Sequence, residues 1–349
     1  MRILVHEFVS GGGLAGQPLP ASLAREGGAM LSALIADLAA LGHRIVATRD
    51  SRLTVSAPAG VEMVTLEPAA RDAQLDRLIA SVDAVWLIAP EAGGRLERLT
   101  ARVERRGKAV LGSSAAAVRR AADKACLPRR LEHAGVSHPK TCVLTQSDED
   151  CENAAAAIGY PLIVKPARGA GCIGVSHVRT ARDLRQAVAS GRGLCGREPL
   201  LLQEYVSGAP ASVSLIGDGR RAVALTVNGQ SLSRGRRLSY RGGVTPLGHR
   251  QADRALDAAV RSCRALPGLR GYIGVDVVLT ASDAVVIEVN PRLTTAYLGA
   301  RRAIDENIAE LVLAACVGSL PPPPTVRRGV RFEPDGCCSV IDGLTVSQH

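Results

Sequence analysis

Two apolar stretches in the last third of the chain carry acids where buried strands are expected: Gly274-Val275-Asp276-Val277-Val278 and Val285-Val286-Ile287-Glu288-Val289-Asn290-Pro291-Arg292. An ionised carboxylate on such a strand is costly unless it is paired or metal-bound. Residues 288 and 290 share a face under the two-residue period of a strand, and antiparallel pairing can bring Asp276 beside them. Asp276, Glu288 and Asn290 then offer two carboxylates and an amide oxygen. These are the hard ligands Mg²⁺ takes, with nucleotide phosphates completing the octahedron and Mn²⁺ as the alternative ion. Arg292, just beyond, suits a transferring phosphoryl group or an acyl phosphate. A salt-bridge network without metal is the competing reading.

A second constellation lies upstream. Tyr160-Pro161-Leu162-Ile163-Val164-Lys165-Pro166 reads as a strand ending in a lysine, followed by the glycine-rich Arg168-Gly169-Ala170-Gly171-Cys172-Ile173-Gly174. A cation at a strand end fixes one phosphate by charge while backbone amides at Gly169 and Gly171 close over others. The Walker pattern and a first-turn G-x-G-x-x-G are both absent, and a plain glycine turn is the bland alternative. Asp123-Lys124 stands about forty residues earlier, where the aspartate alone would read as a helix cap. The chain has only four lysines (Lys108, Lys124, Lys140 and Lys165), so a pair at these two places is informative. Leu200-Leu201-Leu202-Gln203-Glu204-Tyr205-Val206 then runs from an apolar strand into a polar hinge. Such a hinge can offer backbone groups to an adenine edge, and a buried strand ending in a turn fits equally well.

These residues need elements to hold them. Residues 1 to about 115 alternate strands and helices: Arg2–Phe8 is a strand leading into Ser10-Gly11-Gly12-Gly13, and Gly28–Leu41 is apolar at helical spacing up to Gly42. Strands over 44–48, 84–89 and 108–111, with helices over 75–81 and 96–106, complete a doubly wound α/β domain on a parallel sheet. Residues 116–207 carry a helix over 118–134, strands over 160–166 and 200–205, and a helix over 180–189. Strands within 211–230 and 271–290 and helices over 252–266 and 307–317 predict an α+β unit over 208–320. After Pro321–Pro324, residues 321–349 read as a strand-rich tail, packed on the body or partly ordered.

Composition narrows the function classes. The chain has 349 residues, 46% hydrophobic and 22% charged, the balance of a globular protein with two or three domains. Its apolar runs fall short of the roughly 18 to 20 residues of a membrane span. His6 and Glu7 interrupt the amino terminus where a signal peptide would stay apolar, so a cytoplasmic location is expected. Nine scattered cysteines without C-x-x-C spacing read as reduced thiols. The net charge of +10 comes almost wholly from arginines along the whole chain, and two Phe, one Trp and five Tyr leave almost no stacking platform for single strands. Anionic small molecules, rather than nucleic acid or membrane, are the expected partners.

Taken in order, Asp123-Lys124, Ile163-Val164-Lys165-Pro166 with its glycine loop, Gln203-Glu204-Tyr205-Val206, Asp276 and Glu288-Val289-Asn290-Pro291-Arg292 resemble the ATP-grasp superfamily, over about residues 1–318. The resemblance implies an amino-terminal α/β substrate domain, a central lid and a carboxy-terminal α+β domain. It implies ATP phosphates on Lys124 and Lys165, adenine beside Glu204 to Val206, and Mg²⁺ at Asp276, Glu288 and Asn290. The sequence departs from the family pattern where Gly208-Ala209-Pro210-Ala211-Ser212 offers no glutamate for the ribose. It departs again at Gly274, where many members have an arginine, so Arg292 or Arg241 would supply that charge.

The opening Arg2–Gly13, Tyr240-Arg241-Gly242-Gly243-Val244-Thr245-Pro246-Leu247 and Asn290–Tyr297 are similar to ATP-grasp ligases of the tyramine-glutamate ligase type in methanofuran biosynthesis. This implies small-molecule carboxylate and amine substrates: glutamate activated as an acyl phosphate and attacked by a tyramine- or tyrosine-like amine. Ser10, Gly11, Gly12, Gly13, Tyr240 and Gly242 would lie at the substrate end, with Tyr297 a second aromatic candidate. A ligase for another amino acid, peptide or polyglutamate chain, or a non-catalytic nucleotide-binding scaffold, stays open, as does a homodimer.

Overall fold

The computed structural model describes residues 1–144, 147–169, 173–195, 198–233 and 239–341. The amino-terminal part contains β1 (Arg2–Glu7), α1 (Ala21–Ala40), β2 (Arg44–Asp50), β3 (Glu62–Leu66), α2 (Arg71–Ala80), β4 (Ala84–Ile88), α3 (Arg95–Glu104) and β5 (Ala109–Val110). All of its strands are parallel, in the order β3-β2-β1-β4-β5. Strand order therefore reverses between β1 and β4, the point at which open parallel sheets form a crevice at their carboxyl ends. One face, with Ile3, Val5 and Trp86, packs on α1 and on Leu293 and Tyr297 from much later in the chain. The other, with Leu4, Val85 and Leu87, packs on Leu75, Ile79, Leu96 and Val103 of α2 and α3. β3 carries no clean alternation and has no counterpart in the sequence reading; its pairing with β2 makes it a strand.

The chain crosses next through α4 (Ala115–Ala122) and α5 (Leu127–His133). A single helix is expected over 118–134; instead Asp123 ends α4, and its Oδ1 accepts the amides of Ala125 and Cys126 at 3.1 Å to start α5. Lys124 sits in that break. β6 (Thr141–Val143), α6 (Asp148–Ile158), β7 (Leu162–Pro166), β8 (Ser176–Val178), α7 (Ala181–Cys195) and β9 (Leu200–Glu204) form a small unit whose sheet runs β6-β9-β7-β8, antiparallel throughout.

The last part contains β10 (Ala209–Asp218), β11 (Ala222–Leu232), β12 (Tyr240–Thr245), α8 (Ala252–Arg264), β13 (Arg270–Leu279), β14 (Ala284–Asn290), α9 (Tyr297–Ala303), α10 (Ile308–Cys316), β15 (Gly329–Phe332) and β16 (Cys338–Ile341). They build a seven-stranded sheet in the order β14-β13-β10-β11-β12-β15-β16. The segment after the four prolines thus joins the body, with Gly243, Val244 and Thr245 of β12 paired to Phe332, Arg331 and Val330. Among the described residues no helix is long and apolar enough to cross a membrane.

Candidate functional site

The register of β13 and β14 sets Asp276 directly opposite Glu288 and Gly274 opposite Asn290. Gln230 reaches over β10 from β11, and its Nε2 donates to Asp276 Oδ1 at 2.8 Å; Asn290 Nδ2 donates to Oδ2 at 3.0 Å. Glu288 turns instead towards Lys124, whose Nζ lies 3.2 Å from Oε2 and also donates to the Gly169 carbonyl at 2.9 Å. One ammonium thus links the acid pair to the first glycine of the glycine-rich loop. In the small sheet, Lys165 Nζ donates to Gln203 Oε1 at 2.8 Å, and Gln203 Nε2 donates to Thr141 Oγ1 at 2.8 Å.

The two acids titrate in opposite directions. Enclosure by protein and the facing Glu288 charge push Asp276 above the usual carboxylate range. Enclosure acts on Glu288 in the same upward sense, but Lys124 and then Lys165 outweigh it and hold Glu288 well below that range. The same field keeps Lys124 charged: burial lowers its pKa, and Glu288 and Glu91 more than reverse this. Glu288 keeps 22% side-chain exposure, so the pair faces a crevice rather than a sealed core.

Arg292 Nε donates to Glu91 Oε1 at 2.9 Å, and Glu91, just past the end of β4, is 3% exposed. This ion pair brings the carboxyl edge of the amino-terminal sheet against the acid pair's strand. Thr295, three residues further, donates its hydroxyl to Glu26 on α1. Gly274 has no room for a side chain, because a Cβ would stand 2.6 Å from Thr294 Cγ2.

The predicted residues divide by location. Lys124, Gly169, Asp276, Glu288, Asn290 and Arg292 converge on one crevice; Lys165 and Gln203 border it from the small sheet. At the hinge, Glu204 and Tyr205 donate their amides to the carbonyls of Lys140 and Pro161, at 2.9 and 3.2 Å. The next amide, Val206, has no acceptor among the described residues. Tyr205 stacks on His177 with centroids 4.4 Å apart. Gly171 lies outside the described residues.

Ser10 to Gly13 form a buried turn in which Gly13 donates to Phe8 O, five residues back. Ser10 gives both its amide, at 2.5 Å, and its hydroxyl, at 2.6 Å, to Glu7. Tyr240 is enclosed near Glu26 and Asp276: burial, then those two charges, raises its pKa strongly. Gly242 is buried on the same strand, whereas Arg241 between them is exposed and, by strand alternation, on the opposite face from Tyr240. Tyr297 is no aryl platform: it is fully buried, gives its hydroxyl to Asp37 at 2.5 Å and packs edge-on against Tyr272.

Gln230, Glu91, Glu26 and Glu7 escaped the sequence reading. Glu91 was findable, as an acid just past an apolar parallel strand at the switch point; Gln230 acts only through a fold-dependent reach across a strand.

A model of the ATP-grasp domain matches residues 121–296, about half of the chain, and one of the pre ATP-grasp 3 domain matches residues 43–118. The tyramine-L-glutamate ligase of Methanocaldococcus jannaschii is 33% identical over 116 residues, 33% of this chain and 36% of that one, so the match spans well under half of that relative. The D-alanine-D-alanine ligase of Desulforudis audaxviator is 27% identical over 216 residues, covering 58% of this chain and 69% of that one. The crystal structure of an ATP-grasp superfamily protein from Archaeoglobus fulgidus superposes with a TM-score of 0.70 at 22% identity, covering 95% of this chain and 92% of that one. At that identity the likeness is one of fold.

Proposed function

The chain belongs to the ATP-grasp family, and on that premise we propose that it is an ATP-dependent ligase joining a carboxylate to an amine through an acyl phosphate. The observation that carries the reading is the cross-strand pair Asp276–Glu288, tied by Lys124 to the glycine loop and neighboured by Arg292. A carboxylate pair that its own strands leave short of positive charge, open to a crevice and beside an amide oxygen, fits a hard divalent cation. Asp276, Glu288 and Asn290 would hold Mg²⁺, which when bound would neutralise charge on the nucleotide phosphates.

The protein's own groups would do the rest by position and charge. Lys124 and Lys165 would hold the phosphates, and the Val206 amide would meet the adenine edge. Arg292, kept in place by Glu91, would face the oxygens of the phosphoryl group in transit. A substrate carboxylate oxygen would attack the γ-phosphorus as ADP leaves; the amine nitrogen would then attack the acyl carbon as phosphate leaves and the amine proton is released. Tyr240 and Gly242 would border the acceptor end. Ser10 and Gly11 to Gly13 would contribute shape and backbone alone, since the Ser10 hydroxyl is held by Glu7.

For substrates the reading favours glutamate as the activated acid and a phenolic amine such as tyramine as acceptor. The support is the 33% identity to tyramine-L-glutamate ligase over 116 residues. The longer match to D-alanine-D-alanine ligase favours, as a second reading, a different amino-acid pair. ADP release with ATP, Mg²⁺ and a panel of amino acids and amines tests both. Release that requires glutamate plus tyramine supports the first, release with an amino-acid pair supports the second, and no release with any pair defeats the ligase assignment.

A further inference from the structure

β1 turns His6 and Glu7 to opposite faces of the parallel sheet. Glu7 faces α1 and, beyond it, the crevice of the acid pair; His6 faces α2 and α3. On the His6 side a cavity of about 220 Å³ opens between the carboxyl end of β1 and the first turns of α2 and α3. His6, Phe8, Gly13, Arg71, Arg95 and Arg98 are among its lining residues.

The cavity is strongly cationic. Arg71 donates to Gly13 O at 3.1 Å, Arg98 to Gly93 O at 2.6 Å, and Arg95 to Ala92 O at 3.3 Å while lying over the Phe8 ring at 5.4 Å. Against these three guanidiniums the lining holds one carboxylate, Asp72, which is 68% exposed and shared between Arg71 and Arg102. The N-cap residue of α2, Ala70, supplies no side-chain cap, so the first-turn amides of that ten-residue helix add to the positive field, whereas those of Arg95 and Leu96 at the start of α3 are taken by the carbonyls of Ala92 and Pro90.

His6 is the independent sign of a ligand. It is 1% exposed and lines the cavity, its Nδ1 is 2.7 Å from Thr48 Oγ1, and its Nε2 has no hydrogen-bond partner among the described residues. A neutral imidazole presents one N–H donor and one acceptor nitrogen, so with Nδ1 engaged by Thr48 the other nitrogen keeps hydrogen-bonding capacity for a ligand. Burial, and then the charges of Arg102 and Arg71, hold the pKa at about 4, so near neutral pH the imidazole is uncharged among arginines.

We propose that this cavity binds a small oxyanion, a carboxylate or phosphate group, between Arg71, Arg95, Arg98 and His6, on the face of the sheet turned away from the acid pair. The inference does not depend on the ligase reading. Calorimetric titration of the whole protein with inorganic phosphate and, separately, with glutarate decides which anion is preferred. The expected result is one-to-one binding of at least one of them, weakened about tenfold for each arginine removed in Arg98→Gln and in Arg71→Gln/Arg98→Gln. A shift of the His6 Nε2 resonance in ¹⁵N-histidine-labelled protein on addition of that anion is also expected. Arg98 is exposed, so the single variant keeps the test available if the double one unfolds. Binding of neither anion, binding indifferent to Arg98→Gln, or binding lost in Lys165→Met overturns the proposal; the last would put the anion at the nucleotide phosphates.

Discussion

Glu7 and the Asp276–Glu288 pair are both acids enclosed by protein, yet the molecule treats them differently. Glu7, 3% exposed, is answered entirely by the turn that follows it: the amides of Val9 and Ser10 and the Ser10 hydroxyl all donate to its carboxylate. Its pKa is still raised, because burial exceeds what those bonds return. The acid pair draws its partners from elsewhere: Gln230 from two strands away, Lys124 from the break between α4 and α5, and Lys165 through its field from the small sheet. Enclosure and a displaced pKa therefore do not separate a structural acid from a chemical one. The origin of the partners differs between them, since Glu7 already accepts three bonds from its own turn while the pair's partners come from distant elements.

That contrast can be broken most directly at Glu288. Glu288→Gln keeps the shape and removes the charge, and ADP formation should fall about a hundredfold or more while thermal unfolding shifts by no more than about 5 °C. Near-normal turnover would make the pair structural, like Glu7. At the other end, Gly27 on α1 packs so close to the Glu7 carboxylate that a Cβ there must displace it. Gly27→Ala should cost about 2 kcal/mol in urea unfolding and leave kcat within about twofold; a loss of turnover without loss of stability would move Glu7 into the chemistry.

His6, beside Glu7 on the opposite face, sharpens the comparison through pH. Its folded pKa, about 4, lies below the ordinary 6.5. The unfolded chain therefore takes up the proton first, and stability is lost as pH falls from 6.5 towards 4. At pH 5 the loss amounts to about 2 kcal/mol, and His6→Gln should remove that part of the pH dependence. Equal slopes for both proteins between pH 7 and 5 would show that His6 protonates freely in the folded state. The smallest effect is expected at Tyr297→Phe, about 1 kcal/mol of stability from the lost bond to Asp37, with KM for ATP unchanged.

Much of this was readable before any coordinates. Alternating apolar positions in 274–278 and 285–290 located the strands, and the acids on them stood out because buried charge is expensive. At Asp123-Lys124 the sequence points two ways, since apolar spacing runs on across 118–134 while Asp123 reads as a helix cap; the capping by Asp123 and the pull of Lys124 towards Glu288 and Gly169 decide for a break. The resemblance puts the glycines at 11 to 13 at the substrate end, and nothing local announces that the amides and hydroxyl of this turn serve Glu7. Tyr297 looked like an aromatic at the cleft, but its hydroxyl is claimed by Asp37, 260 residues away.

By itself the sequence determined the types of most of the longer elements, the parallel-then-antiparallel order and the identity of the charged groups, because strand and helix periods and the cost of burying charge act over a few residues. Tertiary structure alone decided which charge meets which. The Asp276–Glu288 register, the Gln230 reach across β10, the Arg292–Glu91 pair between two sheets and the arginine-lined cavity beside His6 all join residues distant in sequence. Their Coulomb and hydrogen-bond energies depend on separations of a few ångströms that no local period encodes.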